Sequence, residues 1–136
     1  MNRAFIDSNI LICHLMQNHE EHSPRASQLI IDIGSGRQLG AMSETVVFET
    51  IFTVTKHYKV PRANVKTAME RILQLENLSC PNKPLLHETL SLWVRETPLS
   101  FADCYHLVLT KALGLTEIYT FDKKMGRYPG VTRIEP

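Results

Sequence analysis

No apolar run in this 136-residue chain approaches the ~20 consecutive residues needed to cross a bilayer. Cysteine is scarce: Cys13, Cys80 and Cys104 are odd in number and far apart. The lack of a Cys-x-x-Cys pair argues against a thiolate zinc site, the odd count and wide spacing argue against a disulfide framework, and buried free thiols are the expectation. A strong charge of either sign is also missing. Fifteen Lys and Arg face 14 Asp and Glu, for a formal net charge of +1. The basic balance that often marks nucleic-acid binders is therefore absent. Positive charge for an anionic substrate has to come from local basic clusters or from a bound cation. No Gly-rich phosphate loop, Ser-His-Asp arrangement, internal repeat, low-complexity tract or linker can be made out. The start, Met1-Asn2-Arg3-Ala4-Phe5-Ile6-Asp7, carries one basic residue and meets an acid by position 7. It does not read as a secretory signal, so the expected location is the cytoplasm.

What is present is an ordinary globular composition, 43% apolar, sized for a single domain spanning 1–136. Arg3–Ile6, Gln38–Met42, Leu78–Cys80, Glu117–Thr120 and Val131–Ile134 read as short strands. Between them lie helical stretches at Asn9–Met16, Ser23–Ile33, Glu44–Tyr58, Pro61–Leu75, Pro84–Glu96 and Phe101–Leu113. Ser23 is placed as an N-cap with Pro24 at the first helical position, and Ala26, Leu29, Ile30 and Ile33 follow at helical spacing. Short strands alternating with longer helices predict an α/β fold, a three-layer α/β/α arrangement with a short, mainly parallel central sheet. Ligands of such sheets sit beyond the carboxyl ends of the strands.

Four acids occupy that kind of position. Asp7 follows the first strand and Asp122 follows the strand Ile118-Tyr119-Thr120. Asp103 lies in the first turn of its helix. Glu49 lies about 9 Å into its helix at ~1.5 Å per residue, beside Thr45, Val46, Phe52 and Thr53. An acid on so apolar a stripe is costly unless compensated. Carboxylates converging on one edge would repel one another without a cation among them, and hard oxygen donors suit Mg²⁺ or Mn²⁺. Each acid has a plainer reading alone: Asp7 as a helix cap, Glu49 as a surface acid or a partner of Lys56, Asp103 in a Ser100-x-x-Asp103 capping box, Asp122 as a loop residue. The metal reading rests on all four being expected at one edge.

At these residues the sequence resembles the PIN-domain family, in particular the VapC-type toxins of toxin–antitoxin systems. The matching stretches are Phe5-Ile6-Asp7-Ser8-Asn9-Ile10-Leu11, Ser43-Glu44-Thr45-Val46-Val47-Phe48-Glu49, Ser100-Phe101-Ala102-Asp103-Cys104-Tyr105-His106-Leu107 and Ile118-Tyr119-Thr120-Phe121-Asp122-Lys123. Any one is weakly specific; all four in order are strongly specific. The resemblance implies Mg²⁺- or Mn²⁺-dependent hydrolysis of RNA, with Asp7, Glu49 and Asp103 as central metal-binding acids and Asp122 as the fourth. It makes Asn9 and Thr120 orienting polar residues. It further implies a homodimer and an antitoxin partner. Glu44 is set aside for Glu49 because a first-turn acid is commonly a surface residue favoured by the helix dipole.

Other signals weigh less. His19-Glu20-Glu21-His22 has its histidines three apart rather than four, so His-Glu-x-x-His zinc chemistry is not met. Lys56, His57, Lys59, Arg62 and Lys66 read as a solvated face. Lys123, Lys124 and Arg127, following Asp122, are better placed for RNA phosphates. A haloacid-dehalogenase-like phosphatase needs a second Asp two residues after the first, where Asn9 stands. A receiver-like domain needs a paired acid cluster near the start, which is absent. The remaining rivals are a solitary RNA-processing PIN nuclease and a PIN-fold binding module without catalysis.

Overall fold

The structure is a computed structural model that describes residues 2–136. Its contacts divide into two compact units, Met1–Asn82 and Lys83–Pro136. The pairings among the described strands are all parallel, as the alternation of strands and helices predicts for an α/β chain.

The first unit holds three short strands, β1 (Arg3–Phe5), β2 (Leu39–Ala41) and β3 (Leu78–Ser79), in the order β1-β2-β3. Ala4 pairs with Gly40, and Gly40 with Leu78. Parallel neighbours need long crossovers. Here α1 (Ser8–Met16) and α2 (His22–Gly34) link β1 to β2, while α3 (Glu44–Lys56) and α4 (Arg62–Leu73) link β2 to β3. α1 packs on α2 and α3, and α3 on α4. Leu11, Ile33, Val47, Ile51, Met69, Leu73 and Leu78 are buried.

Gly40 shows how tightly β2 is enclosed. A Cβ there would lie 3.0 Å from Ile33 Cδ1 and Leu78 Cδ1, and 3.4 Å from Ile6 Cγ1. Only glycine lets these side chains close over the strand.

The second unit packs α5 (Lys83–Arg95) against α6 (Phe101–Ala112) and pairs β4 (Glu117–Tyr119) with β5 (Thr132–Ile134). Leu86, Leu90, Leu92, Leu99 and Leu107 are buried. Trp93 is buried too, its ring edge-on to Phe101 at 5.8 Å. α6 ends as a helix followed by glycine should. Gly114 has φ +77°, its N–H donates to Lys111 O, and Leu115 N donates to Thr110 O.

One helix start differs from the sequence expectation. Ser23 does not cap α2; the helix begins at His22, and Ser23 and Pro24 lie inside its first turn. His19 takes the capping role. Its Nδ1 accepts from His22 N at 2.9 Å and Glu21 N at 3.3 Å, and its ring stacks on His22 at 3.8 Å. Ser23 Oγ accepts from His19 N in return. Pro24 is tolerated because first-turn amides have no intrahelical acceptor to lose.

Between the last two strands lies a 3-10 turn, Lys123–Gly126. No helix of the described residues is long and apolar enough to cross a membrane.

Candidate active site

Asp7 owes its position to the end of a strand. Ile6 N still donates to Ala41 O at 2.7 Å, continuing the β1–β2 ladder, and Asp7 is the next residue. Its extended backbone (φ −82°, ψ 159°) makes it the N-cap of α1. The side chain folds onto the nearest amide, Oδ1 accepting from Ser8 N at 2.7 Å. Among the described residues Oδ2 has no hydrogen-bond partner. The capping reading of Asp7 is therefore correct, and it occupies half the carboxylate. Asn9 is exposed two residues on.

Glu49 lies in the second turn of α3. That helix is capped by Ser43, whose Oγ accepts from Val46 N at 3.2 Å. Glu49 is exposed, so the burial cost expected from its apolar neighbours does not arise; Phe52, one turn on, is itself 65% exposed. Glu49 makes no hydrogen bond or ion pair among the described residues, and Lys56 is not its partner. Glu44, by contrast, accepts from Asn82 Nδ2 at 3.2 Å.

Asp103 closes a capping box at the start of α6. Its N–H donates to Ser100 Oγ and its Oδ2 accepts from Ser100 N, both at 3.1 Å. Oδ1 has no partner among the described residues. Asp122 caps the 3-10 turn. Its Oδ1 accepts from Lys124 N at 2.9 Å, and its Oδ2 lies 3.9 Å from Lys124 Nζ. Thr120 holds this corner from behind, its Oγ1 accepting from Asp122 N at 3.1 Å. Met125 and Tyr128, both buried, seat the segment that follows. The Tyr128 hydroxyl donates to Glu88 on α5, a link between residues 40 apart that the sequence reading did not anticipate.

Two of the four acids belong to each unit, Asp7 and Glu49 to the first, Asp103 and Asp122 to the second. Among the described residues no three His, Cys, Asp or Glu side chains gather closely enough to hold a metal ion. His19 and His22 stack face to face, and His19 Nδ1 is taken up by the amides of Glu21 and His22. The donor chemistry of the acids does fit a hard divalent cation. Asp7 and Asp103 each keep one oxygen uncommitted and Glu49 keeps both, and uncommitted carboxylate oxygens are what Mg²⁺ and Mn²⁺ take. Asp7 and Asp103 also stand at helix N-termini, where the helix dipole favours negative charge.

Of the basic residues after Asp122, Arg127 pairs with Glu96 on the Glu96 Oε2 side at 3.6 Å and Lys124 is drawn towards Asp122. Lys123 is exposed and has no partner among the described residues.

Strand ends and helix starts that present acids define an α/β protein with an acidic, oxygen-donor chemistry. Comparison with known families makes the assignment specific: the PIN domain profile matches residues 4–131, and the chain belongs to that family. That match runs through both units. Among curated proteins the chain is similar to a VapC ribonuclease of Aquifex aeolicus (strain VF5), with 23% identity over 131 residues, covering 96% of this chain and 95% of the relative. Among solved structures it is matched to VapC20 of Mycobacterium tuberculosis, a sarcin–ricin-loop-cleaving toxin, at 19% identity and a TM-score of 0.40, covering 98% of this chain and 99% of that one.

Proposed function

We propose that this chain is a divalent-metal-dependent endoribonuclease that hydrolyses RNA phosphodiester bonds, and that it is the toxin of a type II toxin–antitoxin pair. The observation that carries the reading is membership of the PIN-domain family over residues 4–131 in a chain that keeps all four acids at strand ends and in helices. The similarity to a VapC ribonuclease over nearly the full length of both chains supports the ribonuclease assignment.

In this reading Asp7, Glu49 and Asp103 hold the cation, Mg²⁺ or Mn²⁺, through the oxygens that the protein leaves uncommitted. When bound, such an ion activates water and stabilises charge on the phosphoryl group during in-line displacement. The chain's own residues do the positioning. The Ser8 amide fixes the plane of the Asp7 carboxylate, and the capping box does the same for Asp103. Thr120 sets the corner from which Asp122 acts as the fourth acid, and Asn9 serves as a polar orienting group. Lys123, Lys124 and Arg127 supply positive charge for RNA phosphates in a chain of nearly neutral balance. A homodimer, an antitoxin partner and a cytoplasmic location complete the proposal, with residues 1–136 acting as a single PIN domain.

The deciding experiment is a cleavage assay on total RNA with Mn²⁺, with Mg²⁺ and with EDTA. Cleavage in either metal that EDTA abolishes is the expected result. Cleavage that persists in EDTA, or none under any condition, overturns the metal-dependent nuclease reading; binding without cleavage points instead to a PIN-fold binding module.

A further inference from the structure

Phe121 lies between Thr120 and Asp122 and is 73% exposed, the most exposed of the large apolar side chains among the described residues. Its backbone is nonetheless tethered. Thr120 N donates to Ile134 O at 3.0 Å, and Thr120 Oγ1 accepts from Asp122 N directly across Phe121. Beyond it, the 3-10 turn is seated by buried Met125 and by Tyr128 hydrogen-bonded to Glu88. The segment therefore presents an aromatic face to solvent from a fixed support, and a ring with two side-chain torsions loses little entropy when a ligand orders it.

The charge beside it points to the ligand. Lys123, two residues on, is exposed and unpartnered among the described residues, whereas Lys124 and Arg127 face Asp122 and Glu96. An open aromatic face with a free ammonium two residues along the chain matches how proteins hold single-stranded nucleic acid: a base stacks on the ring while the cation meets the backbone phosphate. A duplex offers no such partner, because its bases are already stacked on one another.

We propose that Phe121 is a stacking platform for an unpaired base of single-stranded RNA, with Lys123 contacting a backbone phosphate of the same strand. The proposal rests on the reading of RNA as substrate, and it adds that the strand next to Asp122 is unpaired. Phe121 thereby becomes a residue that selects substrate structure, while the acids perform the chemistry.

The test measures binding in the full-length Asp103→Asn protein, so that cleavage does not interfere. The probe is a single-stranded RNA 12-mer carrying 2-aminopurine, read by anisotropy and by quenching of the analogue. Phe121→Ala is expected to weaken binding about 5- to 100-fold, the range for losing one base–aromatic stack, and to remove the quenching. Phe121→Tyr and Phe121→Trp should keep both. Phe121→Leu, apolar but without a π face, should behave like Phe121→Ala. Lys123→Ala should lower the slope of log K against log salt by about 0.7, the single-strand value for one phosphate contact, whereas Phe121→Ala leaves the slope unchanged. Binding to the annealed duplex of the same sequence should not respond to Phe121→Ala. Because Phe121 is exposed, unfolding midpoints of all variants should match the parent.

Unchanged single-strand binding in Phe121→Ala, full binding in Phe121→Leu, an equal loss on duplex, or a parent that binds no RNA would each overturn the proposal. The nuclease reading fails separately. If the wild type cuts no RNA yet the stacking results hold, Phe121 remains a base platform on a non-cleaving protein. If RNA is cut and Phe121→Ala binds normally, only the stacking proposal falls.

Discussion

Asp103 and Ser100 hold each other across the first turn of α6, each main-chain N–H donating to the other's side chain at 3.1 Å. The bond to Ser100 uses only Oδ2, so the same carboxylate can cap the helix and present Oδ1 to a cation. Asparagine at 103 can still accept from Ser100 N through its amide oxygen but brings no negative charge. Asp103→Asn should leave stability nearly unchanged and reduce RNA cleavage at least about 100-fold, beyond the 10- to 100-fold typical of losing an outer-shell partner. Asp103→Ala should lose the same activity and also about 1 kcal/mol of stability with the hydrogen bond from Ser100 N. Paired urea melts and cleavage rates separate the two roles; full activity in Asp103→Asn would remove this acid from the mechanism.

How legible this was in the sequence depends on the range of the interaction. Ser100-x-x-Asp103 is a local signal, because a cap and its helix are joined within four residues, and the box is formed. Asp7 at the end of β1 was equally readable, since a strand ending in an acid before a helix is a local pattern. Ser23-Pro24 misled because a better acceptor, the His19 ring, lay outside the Ser-Pro pair, and sequence spacing does not reveal an imidazole acting as a cap. Glu49 misled in burial, because the apolar neighbour Phe52 that made its stripe look enclosed is itself in solvent. The Tyr128–Glu88 link left no trace in the sequence, as nothing local connects residues 40 apart.

Metal binding should appear as stability. A cation that binds only the folded chain stabilises it by about 2.7 kcal/mol at 100 times its dissociation constant, so Mn²⁺ should raise the unfolding midpoint by several degrees. Asp7→Asn should abolish that rise while folding normally without metal, because asparagine can still accept from Ser8 N. A midpoint in wild type that ignores Mn²⁺ and Mg²⁺ at millimolar concentration would count against cation binding by these acids.

Thr120 offers a graded perturbation. Thr120→Val keeps the side-chain shape and deletes the oxygen that accepts from Asp122 N. The lost hydrogen bond is worth about 1 kcal/mol, so a corner that positions Asp122 should lose roughly fivefold in rate. The loss should fall on turnover, with substrate binding little altered. Unaltered turnover would make the Thr120–Asp122 turn purely structural.

Gly40→Ala tests the packing of the first unit. The new methyl would sit 3.0 Å from Ile33 Cδ1 and Leu78 Cδ1, and both of these side chains are fully buried. Overpacking of this kind costs about 1–3 kcal/mol. The expected result is a lower denaturant midpoint with an unchanged slope; equal stability would show that β2 can move away from its neighbours.

Tyr128 should give the protein an alkaline edge. Burial, then the hydrogen bond to Glu88 and its negative charge, push the phenol up from 10.0 to about 12. Between those values the unfolded chain has released the proton that the folded chain retains. Unfolding is then favoured by every rise in pH, and the stabilisation, complete below pH 10, drains away as the pH climbs towards 12. A shift of this size corresponds to on the order of 2 kcal/mol. Tyr128→Phe has no phenol to titrate. It should be less stable than wild type at pH 9, with the gap narrowing between pH 10 and 12, while the lysines common to both proteins cancel in the comparison. Urea midpoints of the pair across this range provide the check, and a gap that stays constant to pH 12 would mean that the Tyr128 hydroxyl is not held protonated by Glu88.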